Sequence, residues 1–393
     1  MRFTTKKGQT RSIVLAVALL LLFPSLAFSQ WIPDSNFNRH ILKGIEYVYN
    51  LSFDDARSEF QQVVKLNPGH PAGYFFLAMV DWWKIMIDID DESHDDQLIA
   101  KLEHVIDICD QRLDKDENDV AALFFKCGAV GYRGRLHANR DNWLKAANDG
   151  RVALPLVQKA YQLAPNNNDI LLGIGIYNYY AAVIPEQYPV VKPLMIFFPG
   201  GDKQKGIRQL RKATEKASYA NVEASYFLLQ LLFNYEKDYV QALPIADRLF
   251  TRFPNNVVFH RYIGRTEAAM GRWEEMSKTF TDILQRVHEQ KAGYNSGVER
   301  EAHYYLGMHD MSFHNYDAAL QHFYRCDEIS RTLDRQGPSG FMAMANLKVG
   351  MIYDMQFKRD IAIMQYNKVI KMTDYQDTHT LAEKYLKTPY GKQ

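Results

Sequence analysis

Cysteine is scarce in this chain: three residues, Cys109, Cys127 and Cys326, among 393. Three thiols are too few, and odd in number, for the framework of bridges that holds small secreted domains together. Cys109 and Cys127 fall on neighbouring predicted helices and could form one bridge; alternatively, all three are small buried apolar residues. A disulfide scaffold is excluded, so a hydrophobic core must hold the fold together.

An excess of charge of one sign is also lacking. Forty-seven Lys and Arg residues stand against 46 Asp and Glu residues, a formal net charge of +1. Residues 1–29 contain four of the basic residues and no acidic one, so the rest of the chain is mildly acidic. Proteins that bind nucleic acid neutralise phosphates with a surplus of Lys and Arg. The sequence therefore predicts no nucleic-acid partner.

No motif of a catalytic or cofactor site is present. There is no HExxH, no nucleophile elbow and no cluster of Cys and His at metal-ligand spacing. The stretch GIGIYN lacks the third glycine of a dinucleotide fingerprint, and PGGDKQKG has Ile207 where a phosphate-binding loop needs lysine. We therefore expect no enzyme, no cofactor and no metal.

Two weaker candidates for chemistry have structural explanations. The acidic loop 88–96, DIDDESHDD, spaces its carboxylates as calcium ligands are spaced. However, Ser93 stands where such a loop needs glycine and Ile99 where it needs glutamate, so we interpret it as a solvated loop. Scattered histidines such as His303 and His322 are expected to be packed or hydrogen-bonded.

The chain begins with the pattern of an export signal. Four basic residues precede the apolar run IVLAVALLLLF, and small residues around Ser29 provide a cleavage site. The apolar run ends at Pro24 and is short for a membrane-spanning helix. We expect residues 1–29 to be a signal peptide cleaved near Ser29, and the mature chain to be periplasmic or secreted.

A spacing of small and large residues recurs along the chain. A small residue is followed by a second one twelve positions later and by a large one four positions after that: Gly44, Ala56 and Phe60; Gly307, Ala319 and Phe323; Gly350, Ala362 and Tyr366. Two antiparallel helices with a short turn explain this spacing, because small residues let the backbones approach where the helices cross.

This spacing resembles the tetratricopeptide repeat. The resemblance also rests on Ile263-Gly264 with Gly271 and Trp273, and on EKDYVQA (236–242) followed by Phe253-Pro254-Asn255. A proline two or three residues past the second helix ends it, because proline cannot continue the hydrogen-bond ladder. The resemblance implies an all-α solenoid of about eight antiparallel helix pairs with loop insertions and a C-terminal capping helix.

The repeats can be followed through the chain by their eighth position, which is occupied by Gly44, Ala78, Gly128, Gly175, Gln230, Gly264, Gly307 and Gly350. The solenoid would span 30–393, with repeats near 37–70, 71–117, 121–167, 168–219, 223–256, 257–290, 300–333 and 343–376. Residues 377–387 would form the capping helix.

The three largest insertions fall within predicted pairs, near 84–96, 134–146 and 183–202. Turns within a pair all emerge along one edge of a solenoid, so we expect these inserts to lie side by side. The third reads VIPEQYPVVKPLMIFFPGGD; its four prolines and three charged residues exclude a membrane span.

Insert 183–202 leaves two interpretations. It packs on the solenoid as a strap, or it is a partly exposed contact site for a partner, a membrane or a lipid. The residues that would make such a contact are Pro193, Met195, Phe197 and Phe198.

Segment 170–216 carries a narrower resemblance, to the central region of the tetratricopeptide repeat protein 39 group and its fungal relatives. The matching residues are Gly173, Gly175, Asn178, Pro185, Phe198, Gly201, Asp202, Gly206 and Leu210. This resemblance implies a non-enzymatic adaptor, because members of that group act as adaptors and some are tied to lipid droplets or organelle membranes.

The tetratricopeptide resemblance also implies a binding face. In such proteins, set positions of each first helix line the concave side, and here they include Phe75, Met79, Trp82, Trp83, Phe125, Tyr132, Arg133, Tyr179, Tyr180, Arg261, Arg265, Tyr304, Met308 and Met311. Aromatic, Met and Arg side chains are enriched where proteins bind partners. In a tightly wound solenoid, the same side chains also pack between repeats.

The sequence therefore favours a non-enzymatic scaffold or adaptor of the cell envelope that binds a protein or peptide. The alternative is a carrier of an apolar small molecule or lipid, with insert 183–202 as its lid.

Overall fold

The computed structural model describes residues 35–187, 192–195, 199–334, 337 and 339–392. This part of the chain is helical, without a strand, and its helices pack in consecutive pairs. The pairs are α1 (Ser35–Tyr49) with α2 (Phe53–Leu66), α3 (Pro71–Ile87) with α4 (Asp95–Leu113), α5 (Val120–Asn139) with α6 (Trp143–Leu163), α7 (Ile170–Gln187) with α8 (Lys203–Lys216), α9 (Asn221–Gln230) with α10 (Tyr239–Arg252), α11 (Val257–Ala269) with α12 (Trp273–His288), α13 (Ser296–Ser312) with α14 (Tyr316–Leu333), and α15 (Gly340–Met355) with α16 (Arg359–Ile370).

A single helix, α17 (Thr378–Lys387), follows the last pair. Its Leu381, Ala382 and Tyr385 pack against the outer side of that pair. The Arg359 guanidinium donates to the carbonyl oxygens of Tyr385 (2.8 Å) and Leu386 (2.7 Å), two of the carbonyls that the end of α17 leaves unpaired. The predicted fold class, an α-solenoid of helix pairs, is confirmed. The predicted signal peptide, residues 1–29, lies outside the described residues.

Four of the recurring glycines, Gly44, Gly264, Gly307 and Gly350, lie where an aromatic ring of the second helix packs against the first. A Cβ added to Gly264 would meet the ring of Phe280 at 2.7 Å, and one added to Gly307 would meet the ring of Phe323 at 2.8 Å. Both rings are fully buried. The spacing read from the sequence therefore marks the crossing point of the two helices within a pair.

Proline ends several second helices. Pro68, Pro165 and Pro254 each lie two residues beyond the last residue of α2, α6 and α10. Side-chain caps begin the next helices: Asp119 Oδ1 accepts from the amide of Ala122 at 2.9 Å, for example.

Six of the eight pairs are closed by the same kind of turn. A residue with φ between 54° and 70° stands just before the second helix: Leu51, Asp141, Lys237, Gly271, His314 and Phe357. Only one of the six is glycine, although this left-handed conformation costs other residues about 1–2 kcal/mol. Packing of the two helices therefore imposes the turn on whatever residue occupies it.

The solenoid closes on itself through α1, which lies across the beginnings of α9 and α11. The Tyr219 hydroxyl donates to Asn38 Oδ1 (2.6 Å) and the Tyr49 hydroxyl donates to Glu223 Oε2 (2.8 Å). The Asn256 amide nitrogen donates to the backbone oxygen of Tyr49 (2.8 Å). The first repeat therefore packs against the fifth and sixth. The spacing of residues along the sequence does not predict this contact.

The first two inserts lie together, as expected for one edge. The Arg140 guanidinium donates to Asp95 Oδ2 (2.6 Å) and to the backbone oxygen of Ile89 (2.6 Å), which fastens the acidic loop to the turn after α5. The second insert is not a loop, however. Residues 134–139 and 143–146 extend α5 and α6, because most of them favour helix, and only 140–142 turn.

Insert 183–202 is described only in part. Its first residues continue α7, a single helical turn spans Lys192–Met195, and Asp202 caps α8 by accepting from the amide of Lys205 (2.9 Å). The Tyr177 hydroxyl donates to the backbone oxygen of Pro199. Within the described ranges, no helix is long and apolar enough to cross a membrane.

The three cysteines are free thiols. Burial raises the pKa of each thiol to about 12, so none is an activated nucleophile. The interpretation of Cys109 and Cys127 as a bridged pair is wrong for this structure, and the alternative, packed apolar residues, is the one observed.

Candidate functional site

The predicted concave-face residues fall into two groups. Those that are buried in the free chain are Phe75, Met79, Trp82, Trp83, Phe125, Tyr179 and Tyr304. Those that stay partly accessible are Tyr132, Arg133, Tyr180, Arg261, Arg265, Met308 and Met311. Six of these seven buried residues lie in the first four repeats, and one of them, Trp83, contacts Tyr49 of α1.

Trp83 lies at the centre of an aromatic cluster. Its ring contacts those of Tyr49, Tyr226 and Phe259, with centroids 5.0, 5.4 and 5.6 Å away. These four residues come from α1, α3, α9 and α11, so the aromatic cluster connects the first two repeats with the fifth and sixth. Aromatic contacts of this kind each add about 0.5–1.5 kcal/mol beyond the burial of area.

A buried ion pair lies beside the cluster and was missed by the sequence analysis. Arg135 of α5 donates to Glu223 Oε1 (3.4 Å) and to Gln230 Oε1 (2.9 Å), and its guanidinium stacks on the rings of Trp82 and Phe227. Burial alone would lower the pKa of Arg135, but the Glu223 carboxylate and the nearby tyrosine hydroxyls together outweigh it and raise that pKa. Nothing in the local sequence indicates this pairing, because its members are 88 residues apart.

The accessible inner surface lies in the second half of the chain. On α11, Arg261 and Arg265 both donate to Glu301 of α13; Arg261 does so at 2.8 Å through Nε and 2.5 Å through Nη2, and Arg265 Nη2 at 2.7 Å. Glu301 is fully buried, whereas 22% and 27% of the two arginine side chains are exposed. Burial would raise the pKa of Glu301, but the two guanidiniums lower it to about 2.

Each arginine of this pair has donors that its bonds to Glu301 do not use. Their bonds to Glu301 use Nε and Nη2, and no hydrogen bond among the described residues engages Nη1 of either one. Glu301 balances one of the two guanidinium charges, and the Asp88 carboxylate also acts on the charge of Arg261. We call Arg261, Arg265 and Glu301 the arginine pair site; it is the part of the inner surface best equipped to receive an acceptor.

Two tyrosines flank the arginine pair site. Tyr262 stacks under the Arg265 guanidinium (5.9 Å), and the Arg265 charge also acts on the Tyr305 hydroxyl. These polar groups alternate with Met308 and Met311, the kind of mixed surface on which peptides bind.

The tyrosines of α7 form a separate group with the π-helical turn Leu231–Tyr235 that follows α9 and with Glu236. Tyr180 contacts Tyr235 edge to face (centroids 5.6 Å apart), and the Tyr179 hydroxyl donates to Glu236 Oε1 (2.5 Å). Burial and the Glu236 carboxylate both raise the pKa of Tyr179 above its ordinary value. Tyr179 is therefore a structural residue, and Tyr180 is the one left accessible.

Three other residues considered from the sequence lie away from this surface. Arg133 faces a groove between α4 and α6, where it is bound to Asp149. His303 and His322 contact each other through their Nδ1 atoms (2.9 Å) between α13 and α14, and burial lowers the pKa of His303 to about 4. No group of three or more His, Cys, Asp or Glu side chains among the described residues is arranged to hold a metal.

The predicted contact residues of insert 183–202 are only partly placed. Pro193 is exposed, and Met195 ends the short helical turn. Phe197 and Phe198 lie outside the described residues, so the contact role of the insert stays a prediction.

Comparison with known proteins identifies one repeat directly. A family model described as the tetratricopeptide repeat matches residues 41–80, which run from the middle of α1 into α3. No curated protein matches the chain. The narrower resemblance to the tetratricopeptide repeat protein 39 group stays a prediction.

Among solved structures, the chain is similar to the human IFIT1 dimer with m7Gppp-AAAA, at 13% identity over 92% of this chain and 87% of that chain, with a TM-score of 0.44. It is also similar to an IFIT1 monomeric mutant with Gppp-AAAA, at 12% identity over 92% and 88%, with a TM-score of 0.43. A third similar structure is the human IFIT1 dimer with PPP-AAAA, at 14% identity over 92% of this chain and 87% of that chain, with a TM-score of 0.42.

Residues 41–80 therefore match a tetratricopeptide repeat, and the described residues form eight helix pairs of an α-solenoid followed by a closing helix.

Proposed function

We propose that this protein is a non-enzymatic scaffold of the cell envelope that binds an extended protein segment across the arginine pair site. The repeat fold is typical of protein-binding scaffolds, which supports the general role. The Nη1 groups of Arg261 and Arg265 support the location, because they are available to an acceptor that none of the described residues supplies.

The geometry favours a segment that carries a carboxylate or a row of backbone carbonyls. A guanidinium recognises planar oxygen acceptors through two parallel donors, a geometry that lysine cannot reproduce. The methionines beside the site adapt to different apolar side chains, because their side chains are unbranched and flexible.

The test is a peptide-display selection on the full mature chain, with Arg265→Ala as the site variant. The matched control is Arg208→Ala, an exposed arginine on the second helix α8. We expect selected peptides to be rich in Asp and Glu and to lose at least tenfold in affinity with Arg265→Ala only. Melting temperatures of both variants separate lost binding from lost folding.

Selected peptides that bind both variants equally would refute the location. If no peptide is selected and lipid extraction of protein from its own host yields one bound lipid per chain, the carrier function replaces the scaffold. The envelope location has its own test: the amino terminus of the exported protein should be Gln30, and a terminus at Met1 in the cytoplasm would refute it.

A further inference from the structure

The groove between α4 and α6 is a second accessible site, on a different part of the molecule from the arginine pair site. It is a cavity of about 520 Å³ lined by Ile99, Glu103, Arg133, His137, Leu144, Lys145, Asn148 and Asp149. His137, Leu144 and Lys145 belong to the second insert, which lengthens α5 and α6. The groove is therefore built by residues that exceed the standard repeat unit.

The charged groups at the floor of the groove balance each other, and their hydrogen bonds are already made within the chain. Arg133 donates to Asp149 through Nε (3.0 Å) and Nη2 (2.6 Å), and Asp149 is buried. Burial lowers the pKa of His137, so this histidine adds no positive charge at neutral pH. An occupant of the groove is therefore not drawn in by an unpaired charge on its floor.

One large apolar side chain that lines the groove is exposed to water: Leu144 is 74% exposed, in the first turn of α6. Contact of such apolar surface with water is unfavourable. Together with Ile99 on the facing helix, Leu144 offers an apolar anchoring point.

The wall formed by α4 is strongly acidic. Segment 88–119, which contains α4 and its flanking loops, has thirteen acidic and three basic residues. Asp96, Glu103 and Asp107 are exposed at spacings that place them along one side of α4. Glu103 lies 3.9 Å from Arg133, whereas Asp96 and Asp107 form no ion pair within the described residues. Charge complementarity therefore selects a positively charged occupant.

We propose that this groove docks a basic amphipathic helix of a protein partner, with an apolar side chain against Leu144 and Ile99 and Lys or Arg side chains along α4. A helix suits the site, because its apolar stripe and basic flank repeat with the same period as the residues of α4. An anionic membrane is disfavoured by the same acidic wall, which would repel its head groups.

The test uses a synthetic amphipathic helix of leucine and lysine, its leucine–glutamate counterpart, and fluorescence anisotropy with the full mature chain. The site variants are Leu144→Ser and Glu103→Lys, whose side chains are exposed. The matched controls are Val240→Ser, 70% exposed in another repeat, and Glu383→Lys, exposed on α17.

We expect the leucine–lysine helix to bind at least tenfold more tightly than the leucine–glutamate helix, and each site variant to weaken it at least tenfold. The control variants and Arg265→Ala should leave binding unchanged. Equal binding of both peptides, or no effect of Leu144→Ser, overturns the proposal. So does self-association of the chain, or adsorption to phosphatidylglycerol vesicles, that Leu144→Ser abolishes, because the occupant would then be a second copy or a membrane.

Discussion

Adding one methyl group should have opposite effects at two glycines of first helices. Gly131 of α5 is exposed, and a Cβ built there meets nothing within 4 Å. Gly264 of α11 is buried, and a Cβ there would lie 2.7, 2.9 and 3.1 Å from three atoms of the Phe280 ring. Gly131→Ala therefore measures the effect of helix propensity alone, whereas Gly264→Ala measures helix propensity together with a steric clash.

The magnitudes follow from these contacts. Alanine stabilises a helix interior over glycine by about 0.5–1 kcal/mol, so Gly131→Ala should raise the free energy of unfolding by that amount. Overpacking costs about 1–3 kcal/mol, and Phe280 cannot move away because it is fully buried. Gly264→Ala should therefore lower stability, leaving a gap of about 1–3 kcal/mol between the two variants.

The assay is urea denaturation followed by circular dichroism, with hydrogen exchange on α11 and α12 because repeat arrays can depart from two-state unfolding. A double variant, Gly264→Ala with Phe280→Leu, lacks the ring edge, so adding Gly264→Ala to Phe280→Leu should cost no further stability. If Gly264→Ala is as stable as Gly131→Ala, the close approach of the two helices is not what demands glycine.

Three further predictions follow from buried charge, strained turns and closure. Glu301→Gln should cost about 3–5 kcal/mol at neutral pH, because it leaves two guanidiniums without their carboxylate. The pKa of Glu301 is about 2 in the folded chain against an ordinary 4.5, so its contribution to the free energy of unfolding is complete above about pH 5 and is lost as pH falls towards 2. The free energy of unfolding should therefore fall less steeply with acid in the variant than in the unmodified chain. Phe357→Gly should raise the melting temperature relative to Phe357→Ala, since residue 357 is 85% exposed at φ 59°; an equal effect of both would contradict the strain. Tyr49→Phe should cost about 1–3 kcal/mol and speed amide exchange in α1 first, because it removes a buried hydrogen bond to Glu223; unchanged exchange there would contradict the closure.

The closure also bears on how a partner reaches the inner surface. Tyr49 on α1 contacts the beginnings of α9 and α11, so that stretch is closed to an outside segment. Arg261 and Arg265 lie further along α11 and stay partly exposed. Binding there requires no displacement of α1.

Local spacing was enough to predict the helix pairs. Gly307 and Phe323 were recognisable because the helical period fixes which side chains meet within one pair, and Pro254 because it ends a helix wherever it occurs. The same spacing was misleading at 134–146. Extra length there was interpreted as a loop, but length alone does not distinguish a loop from two longer helices.

The candidate sites depended on pairings that no local pattern reveals. Arg261 and Arg265 were chosen by repeat position, yet Glu301, which fixes their geometry, lies in the next pair and was not singled out. Trp82 and Trp83 were assigned to an open face that α1 in fact closes. The acidic excess of 88–119 was visible in the sequence, but the groove beside it exists only once α4 and α6 are placed together.

The sequence by itself therefore determined the repeat, the number of helix pairs and the closing helix, because each depends on contacts within some forty residues of chain, as in any such repeat. Tertiary structure alone decided which residues of the inner surface are buried and which remain accessible. That choice depends on the superhelical twist accumulated over several repeats, which brings Tyr49 to Glu223, 174 residues away. Small rotations at each pair add up to that contact, and no single repeat encodes it.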